Sequence, residues 1–187
     1  MSELRVLALS GSLRTASWNS KLLKTAAEAL RSKGVIVDIF DFKAANIPVY
    51  DADIHEANPA AGVVDFKNRL RAAHGFMLAS PEYNYSIPGG LKNLFDIASR
   101  PPAENPFKGK VSAQLGATPG PGGTLQAQVS IRHILSGLMC FPLPGQFVVS
   151  KAAEAFDEKG QLKDEMQRKQ LDALLDRFVA ELKLRNP

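Results

Sequence analysis

Five short strand-like runs alternate along this chain with five longer segments of helical periodicity. The runs cover residues 5–9, 35–40, 75–79, 111–116 and 146–150, and the helical segments cover residues 19–33, 63–73, 88–98, 125–138 and 162–184. Strands joined by helical crossovers are parallel, and helices then cover both faces of the sheet. The alternation therefore predicts a single α/β domain over residues 1–187, with a doubly wound sheet of five parallel strands.

The size and composition of the chain agree with one globular domain. Its 187 residues are 45% hydrophobic and 22% charged, which is typical of a folded protein with one core. Residues 1–7 lead directly into the first strand without a leader of basic, apolar and cleavable regions. No apolar run approaches the roughly 20 residues that span a bilayer. We therefore expect a cytoplasmic protein with no membrane partner.

The net charge of +4 raises the question of a nucleic-acid partner. Cationic and anionic side chains mix along the helical segments, and no stretch combines clustered cations with stacking aromatic side chains. We therefore expect no nucleic acid as partner. A mildly positive surface can still steer anionic small molecules toward a cleft.

The loop after the first strand has the composition of an anion site. Ligands of open α/β sheets bind beyond the carboxyl ends of the strands, and residues 10–20 place four serines, a threonine, an asparagine and an arginine there. Free N–H groups at a helix start, hydroxyls and a guanidinium together favour a phosphate. For Ser17 and Asn19, capping of the helix is the alternative interpretation.

Other phosphate-binding classes do not fit this loop. The chain has no Walker pattern, and no full G-x-G-x-x-G follows the first strand, so a Rossmann nicotinamide site is disfavoured as the primary site. Low-molecular-weight tyrosine phosphatases need a cysteine nucleophile in the corresponding loop. Residues 10–20 contain none.

The loop after the third strand, residues 80–93, combines stiff, aromatic and side-chain-free positions. Its prolines restrict the backbone, its tyrosines offer flat apolar faces, and its Gly-Gly pair lets another surface approach closely. An ordinary turn would explain any one of these residues. Their combination at a strand end favours a site for a flat ring.

Two segments carry a family resemblance. GSLRTASWN at residues 11–19 and PEYNYSIPGGLKN at residues 81–93 resemble the NADPH-dependent FMN reductase family. IPVYDAD at residues 47–53 is similar to its bacterial chromate and quinone reductase branch. The resemblance is strong over residues 5–100 and continues as element order. It implies a flavodoxin-like fold with strand order 2-1-3-4-5, and a homodimer or homotetramer.

The resemblance also implies a cofactor and its contacts. FMN is the expected cofactor, and NADPH or NADH is the expected electron donor. The implied phosphate contacts are Ser12, Leu13, Arg14, Ser17, Trp18 and Asn19. The isoalloxazine ring is expected against Pro81, Glu82, Tyr83 and Asn84, with its pyrimidine edge near Ala117 and Thr118. The third loop, GATPGPGG at residues 116–123, departs from the family pattern in its two prolines.

A flavin mechanism needs no catalytic side chain, because hydride arrives at and leaves from the cofactor. We expect Cys140 to be a buried, inert thiol, and a single cysteine excludes an intramolecular disulfide. His55, His74 and His133 lie far apart without ligand spacing, so we expect solvated or capping roles and no metal.

The expected function is that of an FMN-dependent NAD(P)H oxidoreductase. Its acceptor would be a small molecule such as a quinone, chromate or free flavin. A non-enzymatic flavodoxin-type electron carrier that docks on protein partners is the alternative, and an FMN-binding redox regulator is a third. The basic charge balance and the second loop favour the enzyme, since carriers of this fold are typically acidic.

Overall fold

A computed structural model describes residues 3–186 of the chain. Its strands are β1 (Arg5–Ser10), β2 (Ile36–Phe40), β3 (Gly75–Ala79), β4 (Val111–Ala117), β5 (Phe141–Pro142) and β6 (Phe147–Val149). Its α-helices are α1 (Trp18–Ser32), α2 (Ala52–Ala57), α3 (Ala61–Ala72), α4 (Gly89–Ala98), α5 (Leu125–Gly137), α6 (Ala152–Ala155) and α7 (Glu165–Arg185). A short 3-10 helix spans Pro102–Glu104.

The strands form one parallel sheet in the order β2-β1-β3-β4-β5, and β6 also pairs with β4. The predicted α/β class and strand order are confirmed. The predicted fifth strand, residues 146–150, is β6, which pairs with the end of β4, and β5 is an additional short strand beside the start of β4. Pro142 and Pro144 have no N–H to donate to the ladder, and Gly145 has a φ of 89°. The backbone therefore leaves the ladder between β5 and β6.

Strand β1 shows why the central strands are largely apolar. Val6 and Ala8 belong to one core layer, and Leu7 and Leu9 belong to the layer on the opposite face. Successive side chains of a strand point to opposite faces, so a strand with two buried faces needs apolar residues throughout. The continuous run that predicted β1 is therefore a consequence of burial on both sides.

Helices α1 and α7 cover one face of the sheet, and α3, α4 and α5 cover the other. On the second face, buried phenylalanines pack edge to face, with ring centroids 6.4 Å apart for Phe66 and Phe76 and 6.0 Å apart for Phe76 and Phe107. Edge-to-face pairs of this kind add about 0.5 to 1.5 kcal/mol to area burial. These layers hold the sheet rigid beneath the loops at its carboxyl edge.

Two helices differ from the sequence prediction. Helix α2 lies inside the segment 41–62 that was predicted as loop, and the Asp51 side chain caps it by accepting the Asp53 N–H at 3.0 Å. Helix α7 begins at Glu165 instead of residue 162, because residues 156–162 form a bridged turn before it. Within residues 3–186, the chain has no helix whose length and apolar character suit a membrane crossing.

Candidate functional site

The loops after β1 and β3 leave the sheet side by side. Ser10 pairs in register with Ala79, and Ala79 pairs with Leu115 of β4. The Gly11 N–H donates to the Ala79 carbonyl at 2.8 Å, and the Ser80 N–H donates to the Leu115 carbonyl at 3.0 Å. The structure therefore brings the three predicted loops together at one edge of the sheet.

Gly11 is the point of closest contact between the first two loops. A Cβ atom there would lie 2.9 Å from the Leu91 side chain and 3.1 Å from the Ser80 hydroxyl. A larger residue would require the Leu91 side chain and the Ser80 hydroxyl to shift. The glycine of the GSLR segment thus permits close packing between the two loops, which the sequence analysis did not predict.

Serine hydroxyls order the first loop from within. The Ser10 Oγ accepts the Ser12 N–H at 3.3 Å, and the Ser12 Oγ accepts the Arg14 N–H at 3.3 Å. The Ser17 Oγ accepts the Ser20 N–H at 3.3 Å and so caps α1. Capping, one of the two interpretations of Ser17, is therefore realised, and its hydroxyl hydrogen stays free to donate to a ligand.

The amino end of α1 supplies donors for an anion. Backbone N–H groups of a first helical turn have no acceptor within the helix, and the helix dipole adds positive potential there. Trp18 offers only its backbone, since its ring stacks on Phe156 with centroids 5.9 Å apart and Lys21 lies over it at 4.6 Å. The exposed Arg14 guanidinium lies in the same loop. These donors fit a phosphate group.

Asn19 joins the first loop to the third. Its side chain is 3% exposed, its Nδ2 donates to the Ala117 carbonyl at 2.9 Å, and its Oδ1 accepts the Ala117 N–H at 2.8 Å. The amide therefore continues the hydrogen bonding of β4 beyond its last strand partner. This contact spans 98 residues of sequence, and neither of the two sequence interpretations of Asn19 included it.

The second loop turns through a two-residue hairpin. Tyr83 and Ser86 exchange backbone hydrogen bonds of 2.9 and 3.0 Å. Asn84 and Tyr85 between them have φ values of 50° and 62°, as a type I′ turn requires. Asparagine tolerates this conformation better than most residues. The turn leaves Tyr83 47% and Tyr85 84% exposed, and Tyr83 lines a cavity between the first and second loops.

Glu82 connects the second loop to α5. One oxygen of its carboxylate accepts the N–H groups of Gln126 and Ala127 at 2.9 and 3.1 Å. A carboxylate at a first helical turn accepts backbone N–H groups that have no partner within the helix, and its negative charge interacts favourably with the positive end of the helix dipole. The amino end of α5 is thus already capped by an anion, whereas that of α1 is capped only by a hydroxyl. This difference favours α1 as the phosphate-binding helix.

Contacts at both ends fix the position of the third loop. The Thr118 N–H donates to the Val149 carbonyl at 2.9 Å, and the Thr118 carbonyl accepts the Ala152 N–H at 3.0 Å. A Cβ atom on Gly116 would lie 1.6 Å from the Thr124 Oγ1, so only glycine lets Thr124 pack on β4. Ala117 is buried and Thr118 is half-buried at the rim.

A fourth segment reaches the same edge. The Asn93 Nδ2 of α4 donates to the Pro48 carbonyl at 2.7 Å, and its Oδ1 accepts the Tyr50 N–H at 2.8 Å. Asn93 therefore fixes the IPVY segment beside α4 and leaves Val49 85% exposed. The sequence showed both segments, but only the fold shows that one asparagine holds them together.

Cys140 lies at the opposite edge of the sheet. Its Sγ donates to the Lys110 carbonyl at 2.8 Å, just before β4 begins. Burial raises the pKa of the thiol from 9.0 to about 11. The thiolate that would react is therefore scarce at neutral pH, in agreement with the inert role expected for this residue.

The three histidines do not converge. The His74 Nδ1 accepts the Arg5 N–H at 2.9 Å at the amino end of β1, and His133 is exposed on α5. His55, expected to be solvated or capping, is instead 7% exposed and stacks edge to face with Tyr50. Among residues 3–186, no group of three His, Cys, Asp or Glu side chains is arranged to hold a metal ion.

A parallel sheet in this order, with polar and glycine-rich loops after β1, β3 and β4, is that of a flavodoxin-like protein. The NADPH-dependent FMN reductase family model matches residues 4–154. The chain therefore belongs to the NADPH-dependent FMN reductase family, as the motifs of its first two loops indicated.

Individual relatives and solved structures agree with this assignment. An NAD(P)H-dependent FMN reductase of Pseudomonas aeruginosa is 41% identical over 177 residues, covering 92% of this chain and 94% of that protein. A quinone reductase of Pseudomonas putida is 32% identical over 183 residues, covering 96% and 95%. The flavoenzyme NAD(P)H:(acceptor) oxidoreductase of Paracoccus denitrificans superimposes with a TM-score of 0.86 at 29% identity, covering 97% of this chain and 98% of that one.

Proposed function

We propose that this protein is an FMN-dependent NAD(P)H oxidoreductase that passes electrons to a small acceptor such as a quinone, chromate or free flavin. The observation that carries the proposal is the convergence of three loops at the carboxyl edge, with the hydroxyl-capped amino end of α1 among them. The names of the relatives, FMN reductase and quinone reductase, support an enzyme over a flavodoxin-type carrier.

Each loop has a distinct binding role in this proposal. The hydroxyls of Ser12 and Ser17, the Arg14 guanidinium and the backbone of residues 13–19 bind the FMN phosphate. Because both polar atoms of the Asn19 amide engage Ala117, its side chain contributes mainly by positioning the third loop, and one N–H remains for the phosphate.

The ring of the cofactor occupies the space between the second and third loops. Residues 81–84 lie against the isoalloxazine, with Ala117 and Thr118 at its pyrimidine edge. Bound FMN supplies hydride acceptance from the nicotinamide and electron delivery to the acceptor. The chain orients the reactants and limits water, and none of its side chains acts as a nucleophile or proton donor.

The proposal includes the organisation and location of the protein. Residues 1–187 form a single FMN-binding domain, which assembles as a homodimer or homotetramer in the cytoplasm, without nucleic-acid or membrane partners. The exposed apolar side chains of Val49 in the IPVY segment and Tyr85 in the second loop support assembly through these segments. Sedimentation equilibrium of the holoprotein tests the oligomeric state.

Titration of the apoprotein with FMN and with riboflavin tests the phosphate site. We expect riboflavin to bind at least about 100-fold more weakly, because several charge-assisted hydrogen bonds are lost together. Arg14→Ala should weaken FMN binding about tenfold and leave riboflavin binding unchanged. Arg5→Ala, at the opposite edge of the sheet, is the matched control. Equal affinity for the two flavins would refute the phosphate assignment.

Anaerobic mixing of the holoprotein with NADPH separates the enzyme from the carrier. An enzyme should bleach its flavin absorbance within the turnover time, whereas a carrier stays oxidised until a reductase is added. Asn84→Ala should slow this bleaching by on the order of 100-fold, since displacement of a reacting group by about 1 Å has effects of that size. If Asn84→Ala changes neither FMN affinity nor bleaching, the ring does not lie against the second loop.

A further inference from the structure

One lysine contacts the third loop although it belongs to the segment after β6. The Lys151 N–H donates to the Gly120 carbonyl at 3.1 Å, in the middle of the third loop. Residues before and after this lysine are bound to the same loop, because the Val149 carbonyl and the Ala152 N–H both bond to the backbone of Thr118. Lys151 is therefore held beside the position proposed for the pyrimidine edge of FMN.

The backbone of Lys151 has an uncommon conformation. Its φ of 48° and ψ of 46° lie in the left-handed region, which is unfavourable for a residue with a Cβ atom and which glycine and asparagine adopt most readily. Backbone strain of this kind concentrates at functional sites, where the surrounding structure holds it in place. The turn would therefore favour glycine or asparagine, yet the position holds an exposed lysine.

The third loop has no charged side chain of its own. Residues 111–131 contain no Asp, Glu, Lys or Arg, and Arg132 donates to the Leu143 carbonyl near the start of β4. The Glu82 carboxylate of the second loop accepts the N–H groups of α5. Among the side chains that the structure describes, no carboxylate forms an ion pair with Lys151. Its ammonium therefore brings a positive charge to an otherwise uncharged loop.

Hydride transfer changes the charge beside this loop. A hydride carries two electrons and one proton from the nicotinamide, which is oxidised, to the flavin ring, which is reduced. The nicotinamide becomes more positive by one charge and the flavin more negative by one charge, which is delocalised over the pyrimidine part of the ring. The oxidised ring is neutral, so a cation near the pyrimidine edge stabilises the reduced cofactor more than the oxidised one.

We propose that Lys151 raises the redox potential of bound FMN, because its ammonium at the third loop stabilises the reduced cofactor. This inference rests on the proposed function, since it requires FMN at the carboxyl edge of the sheet. The effect is electrostatic and acts through a partly solvated space, so it depends on charge and on ionic strength. Arginine at this position should therefore act as lysine does, and a neutral residue should not.

Asparagine is the neutral replacement that tests the inference, since it tolerates the left-handed region. In Lys151→Asn holoprotein, we expect reduced FMN to bind about fivefold more weakly and oxidised FMN to bind with unchanged affinity. A fivefold change in the ratio of these affinities lowers the two-electron midpoint potential by about 20 mV, at about 30 mV for each factor of ten. Equilibration with a reference dye under argon measures the potential, and flavin fluorescence measures the affinity of oxidised FMN.

Two matched variants and one change of solvent isolate the charge. Lys151→Arg keeps the cation and should keep the wild-type potential. Lys108→Gln, at an exposed lysine before β4 at the opposite edge, makes the same change in net charge as Lys151→Asn and should also keep it. In 1 M salt, where the screening length falls to about 3 Å, the difference between the wild type and Lys151→Asn should shrink.

Three results would overturn the inference. The first is an equal potential in the wild type and Lys151→Asn. The second is an equal loss of affinity for oxidised and reduced FMN in Lys151→Asn, which would indicate a purely structural role. The third is a Lys151→Arg protein with the potential of Lys151→Asn. A purified wild-type protein that binds no FMN would instead refute the proposed function.

Discussion

Replacement of Asn19 by alanine should destabilise the apoprotein, because its amide is the direct side-chain link between the start of α1 and the end of β4. The variant loses two hydrogen bonds, of 2.9 and 2.8 Å, and leaves the N–H and carbonyl of Ala117 without those partners at a site where Asn19 is 3% exposed. A typical hydrogen bond contributes about 1 kcal/mol, and an unpaired buried group costs about 1 to 3 kcal/mol.

Because the lost hydrogen bonds and the unpaired groups belong to the same contact, the two costs do not add fully, and we expect a loss of about 2 to 4 kcal/mol in the free energy of unfolding. Urea denaturation of the apoprotein measures this change. With a slope of about 2 kcal/mol/M for a chain of this size, the midpoint should fall by about 1 to 2 M.

The control is Asn68→Ala, at an exposed position of α3. The Asn68 Oδ1 accepts a hydrogen bond of 3.2 Å from the Arg71 guanidinium Nη1. This substitution should change stability by less than about 0.5 kcal/mol. If Asn19→Ala is as mild as the control, the Ala117 pairing does not support the fold. FMN affinity provides a second measurement, and we expect it to fall in Asn19→Ala because Ala117 belongs to the proposed pyrimidine contact.

Three further changes test other junctions of the site and the thiol. Glu82→Ala should destabilise by about 1 to 2 kcal/mol in urea denaturation by uncapping α5, and an unchanged midpoint would argue against the cap. Gly116→Ala should weaken FMN binding and lower Tm through overlap with Thr124, and Thr124→Gly should restore both; failure of this rescue contradicts the steric explanation. The raised pKa of Cys140 means that its unfolded form ionises first, so wild-type stability relative to Cys140→Ala should fall by about 2 kcal/mol between pH 9 and pH 11. Parallel pH profiles of the two proteins would refute this assignment.

The sequence predicted the central strands well because their signal is local. Strands β1, β3 and β4 are buried on both faces, so β1 and β3 appear as apolar runs, β4 adds only the uncharged Ser112 and Gln114, and the observed bounds agree with the prediction within about one residue. The prediction missed β5, where strand pairing depends on the partner. The segment around Pro142 and Gly145 contributes two short strands because β4 offers an edge to each, and apolar runs carry no information about a shared edge.

The candidate loops were predictable for a related reason. Glycine, proline and hydroxyl residues concentrate directly after buried strands, and parallel strands bring those ends together. The contacts of individual atoms were not predictable. The Glu82 carboxylate caps a helix that begins 43 residues later, and Asn93 holds a segment 43 to 45 residues earlier, so no spacing rule for a helix or a strand could have paired them.

The sequence alone determined the class of fold, the family and the edge at which we propose that a ligand binds, because periodicity and loop motifs are properties of neighbouring residues. The tertiary structure alone decided which charge lies beside the third loop. Lys151 follows Thr118 by 33 residues, and the loop itself carries no charge, so no local pattern connected them. The parallel pairing of β6 with β4 places the segment after β6 against the third loop and brings Lys151 to Gly120.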